Sequence, residues 1–158
     1  MRNRIPPPVL TLLAGVLMVW LDRHHPVLDL LSGWGRWLGI FLVVAAIALT
    51  LTAMLQFKRA STTVNPLQPE RASRLVTDGI FAYSRNPMYL AMLLLLLAGV
   101  ALRLGSLTPW LVLPVLAAAL TWLQILPEER ALEHNFGDTY LAYRRRTGRW
   151  LGRTAGTL

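Results

Sequence analysis

The sequence predicts an all-α integral membrane protein: a helical bundle of four transmembrane helices with a cytoplasmic C-terminal helix. Three observations carry that expectation. Hydrophobic residues make up 54% of the 158-residue chain and charged residues only 15%, a composition suited to a bilayer rather than to water. The apolar residues gather in four runs near the ~20 residues that a hydrocarbon core demands. The arginines fall between and after those runs; despite a formal charge of +8 they form no single stripe for nucleic acid, so the lipid bilayer and its anionic headgroups are the expected partner.

The first span, about residues 5–21, opens on Pro6-Pro7-Pro8, which the first turn of a helix tolerates because its N–H groups have no intrahelical partner. Arg2 and Arg4 ahead of it also suit a secretory signal, but Trp20-Leu21-Asp22-Arg23-His24-His25 stands where a small-residue cleavage site would follow. The second span, about 37–57, carries no charge. The third, about 87–103, holds five consecutive leucines at 93–97 and ends on Arg103, which can snorkel. The fourth, about 107–126, follows after Arg103-Leu104-Gly105-Ser106, a connection so short that spans three and four must form an antiparallel hairpin. Basic residues then set the orientation. Arg2 and Arg4, the group Lys58, Arg59, Arg71, Arg74 and Arg85, and the arginines after span four all lie on the face expected to be cytoplasmic, with both termini.

Two polar segments remain on that face, and any chemistry belongs to them. Residues 58–86 contain Pro66, Pro69 and Gly79, which predict an irregular strap with at most a short helix over 70–76 and a turn at Asp78-Gly79. Residues 127–158 begin helically, with Leu132, Phe136, Tyr140 and Tyr143 on one face and a kink at Gly137-Asp138. The chain reads as one membrane domain, without repeats. The absence of cysteine excludes disulfides, thiolate zinc sites and cysteine nucleophiles. His24, His25 and His134 lack a metal spacing, so no metal is expected, and no Gly-x-Gly-x-x-Gly run follows a strand.

Two constellations can carry chemistry. Thr121, Gln124 and Glu128 recur at spacings of three and four, so they share a helix face that must look inward, and Glu128-Glu129 arrives where the helix leaves the membrane. Pro127 frees the Leu123 carbonyl, and Pro114 can bend the same helix further. The plainer alternative pairs these carboxylates with Arg130 or Arg85 as interfacial ions. In Tyr83-Ser84-Arg85-Asn86-Pro87-Met88-Tyr89, Asn86 caps a helix starting at Pro87, and Arg85 converges there on a spot suited to a carboxylate. Read plainly, the same run is a cap flanked by interfacial tyrosines. Arg144-Arg145-Arg146, with Arg149 and Trp150, suits headgroup anchoring or an acidic substrate.

The ordered set Thr62-Thr63-Val64-Asn65-Pro66, Leu75-Val76-Thr77-Asp78-Gly79-Ile80-Phe81, Arg85-Asn86-Pro87-Met88-Tyr89, Pro127-Glu128-Glu129, Leu132, Phe136-Gly137-Asp138-Thr139-Tyr140, Tyr143 and Arg149-Trp150 resembles bacterial members of the isoprenylcysteine carboxyl methyltransferase and phospholipid methyltransferase group. The resemblance covers roughly residues 40–151. It implies a bacterial inner-membrane enzyme using S-adenosylmethionine. Gly79, Ile80 and Phe81 would approach the nucleoside, with Arg85, Asn86, Pro87, Tyr89, Gln124, Glu128 and Glu129 completing the cofactor site. Arg85, Glu128 and Arg144 are the candidate catalytic residues, with Arg144 or Arg146 as the partner of an acidic acceptor. Two positions depart from the group's pattern: Asn86 replaces histidine, which removes an imidazole base, and Ala91 replaces glycine. The implied reaction is methyl transfer to a lipophilic acceptor such as an isoprenylcysteine carboxylate. The alternatives are a phospholipid amine acceptor, an NADPH-dependent membrane reductase of the sterol reductase type, and a non-catalytic membrane scaffold.

Overall fold

The computed structural model describes residues 5–25, 34–60, 74–103 and 108–153. The described residues are helical, with no strand beyond an isolated bridge between Thr147 and Arg153. Helix α1 (Pro7–His24) starts with its prolines in the first turn, and the Thr11 hydroxyl donates to the Pro7 carbonyl at 3.0 Å. Helix α2 (Gly35–Arg59) ends on Lys58 and Arg59, cations at the negative end of the helix dipole. Its buried positions are Gly35, Gly39, Leu42, Ala46 and Ala53, mostly small, which lets α3 (Pro87–Arg103) lie close against it. Leu42 clusters with Ala98 near the end of α3 and Ala53 with Met88 near its start, so the two helices run antiparallel. Tyr89 and Val100 of α3 join Ala14 and Met18 of α1 in the main apolar core.

The last helical rod has four parts: a 3-10 turn (Thr108–Leu111), α4 (Val112–Leu120), a π turn (Thr121–Ile125) and α5 (Leu126–Arg146). Pro114 is the third residue of α4, directly after the 3-10 turn. Further on, Pro127 has no N–H for the carbonyl four residues back. The helix widens just upstream, and the Leu126 N–H reaches the Thr121 carbonyl across five residues. That widening rephases the side chains, so Thr121, Gln124 and Glu128 no longer share one environment. Thr121 donates to its own helix at the Ala117 carbonyl, Gln124 turns to the chain before α1, and Glu128 meets α3. Gly137, at φ 49° and ψ −126°, kinks α5 as expected from Gly137-Asp138.

Two of the four expected spans satisfy both length and apolarity: Gly35–Arg59 and the rod Pro109–Arg146. Helix α1 is 18 residues long but spends its last turn on Asp22, Arg23 and His24, and α3 has 17 residues. The rod is far longer than a bilayer needs, and its stretch after Leu126 carries Glu128, Glu129, Arg130, Glu133 and the three arginines, too polar for hydrocarbon. Packing of α3 against α4 agrees with the hairpin, whose connection at 104–107 lies outside the described residues. Of the short helix expected over 70–76, residues 70–73 also lie outside them, and residues 74–78 are not helical. Leu75 and Val76 both pack on the Phe81–Tyr140 cluster, which adjacent residues of a helix do not do.

Candidate active site

The site is assembled where three elements meet at the polar end of the bundle: a 3-10 turn (Gly79–Ala82), the start of α3 and the start of α5. The turn is locked onto α2. With its amide oriented to match its neighbours, Gln56 donates to the Asp78 carbonyl at 3.2 Å and accepts from the Ile80 N–H at 3.1 Å. Gly79 sits directly over that amide at φ +56°, where a Cβ would fall 1.7 Å from the end of the Gln56 side chain. Phe81 points inward onto Phe57, ring centroids 4.9 Å apart, and its carbonyl accepts from the Tyr143 hydroxyl at 2.7 Å. The face formed by Leu132, Phe136, Tyr140 and Tyr143 therefore rests on this turn, as its spacing predicted.

Behind the turn lies a buried ion cluster. Glu129 accepts from Arg85 Nη1 at 2.9 Å and, through both oxygens, from Arg149 Nε at 2.9 Å and Nη2 at 2.8 Å. The Glu129 and Arg85 side chains are each only 9% exposed, so the pair has been taken out of water and depends on its mutual bonds. Those bonds raise the Arg149 pKa above its ordinary value, keeping the guanidinium protonated. The Tyr140 hydroxyl accepts from Arg85 Nη1 at 3.0 Å, and burial, reinforced by Glu129, pushes this phenol up, so it stays neutral. Among the described residues, Arg85 Nε has no acceptor although it is buried. Beside the cluster, the Tyr89 hydroxyl donates to Glu128 Oε1 in a short bond. The two adjacent glutamates thus differ in kind: Glu129 is enclosed by arginines and Glu128 leans on a phenol.

A second closure comes from beyond α5, where the chain turns back through Gly148 and Gly152, with the Gly148 N–H donating to the Gly152 carbonyl at 2.7 Å. The Arg85 N–H donates to the Gly148 carbonyl at 3.0 Å, the Gly152 N–H to Tyr83 at 2.9 Å, and the Asn86 side-chain amide to the Arg149 carbonyl at 3.0 Å. The Asn86 amide nitrogen thus ties the start of α3 to this turn, while the Ser84 hydroxyl accepts the Asn86 backbone N–H at 3.1 Å. A Cβ on Gly148 would lie 2.3 Å from the Leu151 carbonyl oxygen. Gly148→Ala is expected to loosen the turn and lower stability by about 1–2 kcal/mol, a lower unfolding midpoint in detergent being the readout. An unchanged midpoint would contradict this account of the turn.

Of the residues singled out from sequence, Arg85, Asn86, Pro87, Tyr89, Glu128 and Glu129 are brought together. Gly79, Ile80 and Phe81 form the adjoining turn, and buried Gln124 binds the Ile5 carbonyl, its Oε1 having no partner among the described residues. Arg144 is apart from the cluster's bonds, exposed and paired with Glu133 at 3.4 Å. Arg149 and Tyr140 belong to the motifs that carry the resemblance but were given no place in the site; Arg149 otherwise reads as one more member of a basic run, and the flanking Gly148 and Gly152 hint at a returning turn.

Residues 34–139 match the family model described as phospholipid methyltransferase, two thirds of the chain and every element of the site except the returning turn and the end of α5. The chain belongs to the phospholipid methyltransferase family. An uncharacterised protein of Haemophilus influenzae is 42% identical over 64 residues, which are 40% of this chain and the whole of that protein. No solved structure matches. Family membership makes the chain a membrane-associated methyltransferase by kinship, and among the described residues no His, Asp or Glu group could hold a metal ion.

Proposed function

We propose that the chain transfers a methyl group from S-adenosylmethionine to a lipophilic acceptor at the membrane interface, with the cofactor held between the Gly79–Ala82 turn, the start of α3 and the start of α5. One observation carries the reading. Within a single turn of the start of α3, the structure offers a buried Arg85 Nε–H with no acceptor among the described residues and a Glu128 carboxylate braced by Tyr89. An amino-acid moiety has the complementary pair, a carboxylate for the arginine and an ammonium for the glutamate.

When bound, the cofactor supplies a sulfonium methyl already activated for transfer. The chain's own residues then bind and orient. Glu128 meets the ammonium or the ribose hydroxyls, and the backbone of Gly79, Ile80 and Phe81 borders the nucleoside. Asn86, Pro87 and Gln124 complete the lining, and Glu129 acts by holding Arg85 and Arg149 in place. Catalysis rests on positioning and on exclusion of water by the apolar bundle.

In this reading α1 and α3 also cross the membrane, giving four spans. Both termini lie in the cytoplasm of a bacterial inner membrane. A carboxylate, thiolate or phenolate acceptor suits a site with Asn86 where the resemblance places histidine, because such acceptors need no strong base. A phospholipid amine is the second reading, supported by the family's description; an ammonium would first have to lose a proton. Calorimetry on the purified protein is the test. Saturable binding of S-adenosylmethionine and none of NADPH is expected, and no saturable binding of the former would sink the proposal.

A further inference from the structure

The returning turn that walls the site also has an outward face. Its inner side is committed: Arg149 bonds Glu129, and Trp150 packs on the apolar core that contains Tyr89 and Ile125. The next residue, Leu151, is 68% exposed, and Tyr83, whose carbonyl accepts from the Gly152 N–H, is 53% exposed. The Arg153 guanidinium lies over the Tyr83 ring, 5.7 Å from its centroid. The bridge between Thr147 and Arg153 brings Arg153 back to the end of α5, where Arg146 is exposed as well.

The arginines of the carboxy-terminal run therefore divide by task. Arg149 is engaged by Glu129 and Arg144 by Glu133, while Arg146 and Arg153 stand on the surface with Leu151 and Tyr83. The level of this surface is set by α2. That apolar helix ends on Lys58 and Arg59, and Gln56, just before them, holds the Gly79–Ala82 turn. Directly after that turn, Tyr83, Arg85 and Asn86 bind Gly152, Gly148 and Arg149. Leu151 thus lies at the level where the α2 span leaves the hydrocarbon. An exposed leucine and tyrosine flanked by arginines at that level have the composition of a bilayer boundary. The apolar pair alone would select no partner; the two cations select an anionic one.

We propose that Tyr83, Arg146, Leu151 and Arg153 form a docking surface for the anionic phospholipid headgroups of the surrounding bilayer, and that headgroups bound there hold the returning turn shut over the site. Leu151 enters the headgroup boundary, and the two guanidiniums take phosphate oxygens. The backbone carries the effect inward. Gly148 and Gly152 flank Arg149 and close the turn through their own N–H and carbonyl groups. Whatever fastens Leu151 and Arg153 on the outside therefore restrains Arg149, and with it Glu129 and Arg85, on the inside. The proposal is independent of what the pocket binds.

The test places the full-length protein in nanodiscs of phosphatidylcholine alone or of phosphatidylcholine mixed with phosphatidylglycerol, and follows amide hydrogen exchange in the peptide bearing Gly148 and Gly152. Both N–H groups are bonded in the closed turn, so their exchange reports its opening. Exchange is expected to be about tenfold to thirtyfold slower in the anionic discs, the effect fading with added salt and leaving α2 amides unchanged. The double variant Arg146→Gln, Arg153→Gln should exchange in both discs at the rate the unaltered turn shows in the neutral one. Leu151→Ser should lose part of the difference. Equal exchange of the unaltered turn in the two lipids overturns the proposal, as does a lipid effect that survives in the double variant or slows α2 equally. Soluble glycerol phosphate that slowed exchange as much in neutral discs would make the occupant a free phosphate and overturn the membrane surface.

Discussion

Glu129→Ala is expected to be the most damaging single substitution in the protein, costing about 3–5 kcal/mol of stability. The reason is the company the carboxylate keeps. Its removal strands the Arg85 guanidinium in a site where the pair's side chains are 9% exposed, with only Tyr140 left as a neutral acceptor, and releases Arg149 from both of its bonds. Arg149→Ala should be milder, about 1–2 kcal/mol, because Arg149 is 32% exposed and Glu129 keeps Arg85. Thermal unfolding in a fixed detergent measures the ranking. If Arg149→Ala proved as destabilising as Glu129→Ala, or neither moved the midpoint, the cluster would not be the internal clamp described above.

Glu128→Gln is expected to leave the fold largely intact and to weaken S-adenosylmethionine binding between tenfold and about a hundredfold, as the loss of a charge-assisted bond of about 1.5–3 kcal/mol. The amide keeps an acceptor for Tyr89 while removing the charge, so the comparison isolates electrostatics from packing. The opposite assignment of roles makes the contrast sharper: for Glu128 the effect lies on affinity, for Glu129 on stability. Calorimetry showing unchanged affinity in Glu128→Gln would remove that residue from the site.

Much of the architecture was legible because apolar runs and their caps are local signals. The charge-free run gives α2, Pro87 marks the start of α3, and the face of Leu132, Phe136, Tyr140 and Tyr143 survives the kink at Gly137. The pairing of Arg85 with a carboxylate was anticipated as the plainer alternative and is what Glu129 does, whereas Arg130 is exposed. What escaped had non-local or non-ideal causes. Periodicity assumes 3.6 residues per turn, and the π turn ahead of Pro127 breaks that assumption between Gln124 and Glu128. The place of Arg149 follows from hydrogen bonds to the backbone of the returning turn made some sixty residues apart in sequence, among them that from the Asn86 side chain to the Arg149 carbonyl, for which a basic run carries no signal.

The returning turn through Gly148 and Gly152 also fixes an order of events during synthesis. Arg85, Asn86 and Tyr83 are made early, yet their partners at Gly148, Arg149 and Gly152 emerge from the ribosome some sixty residues later, several seconds at ordinary elongation rates. Until then the buried arginine and its glutamate lack their outer wall. The site therefore cannot close before the turn at Gly148 and Gly152 has been made. A released chain ending just before Thr147 should keep the helices while lacking the turn that completes the pocket.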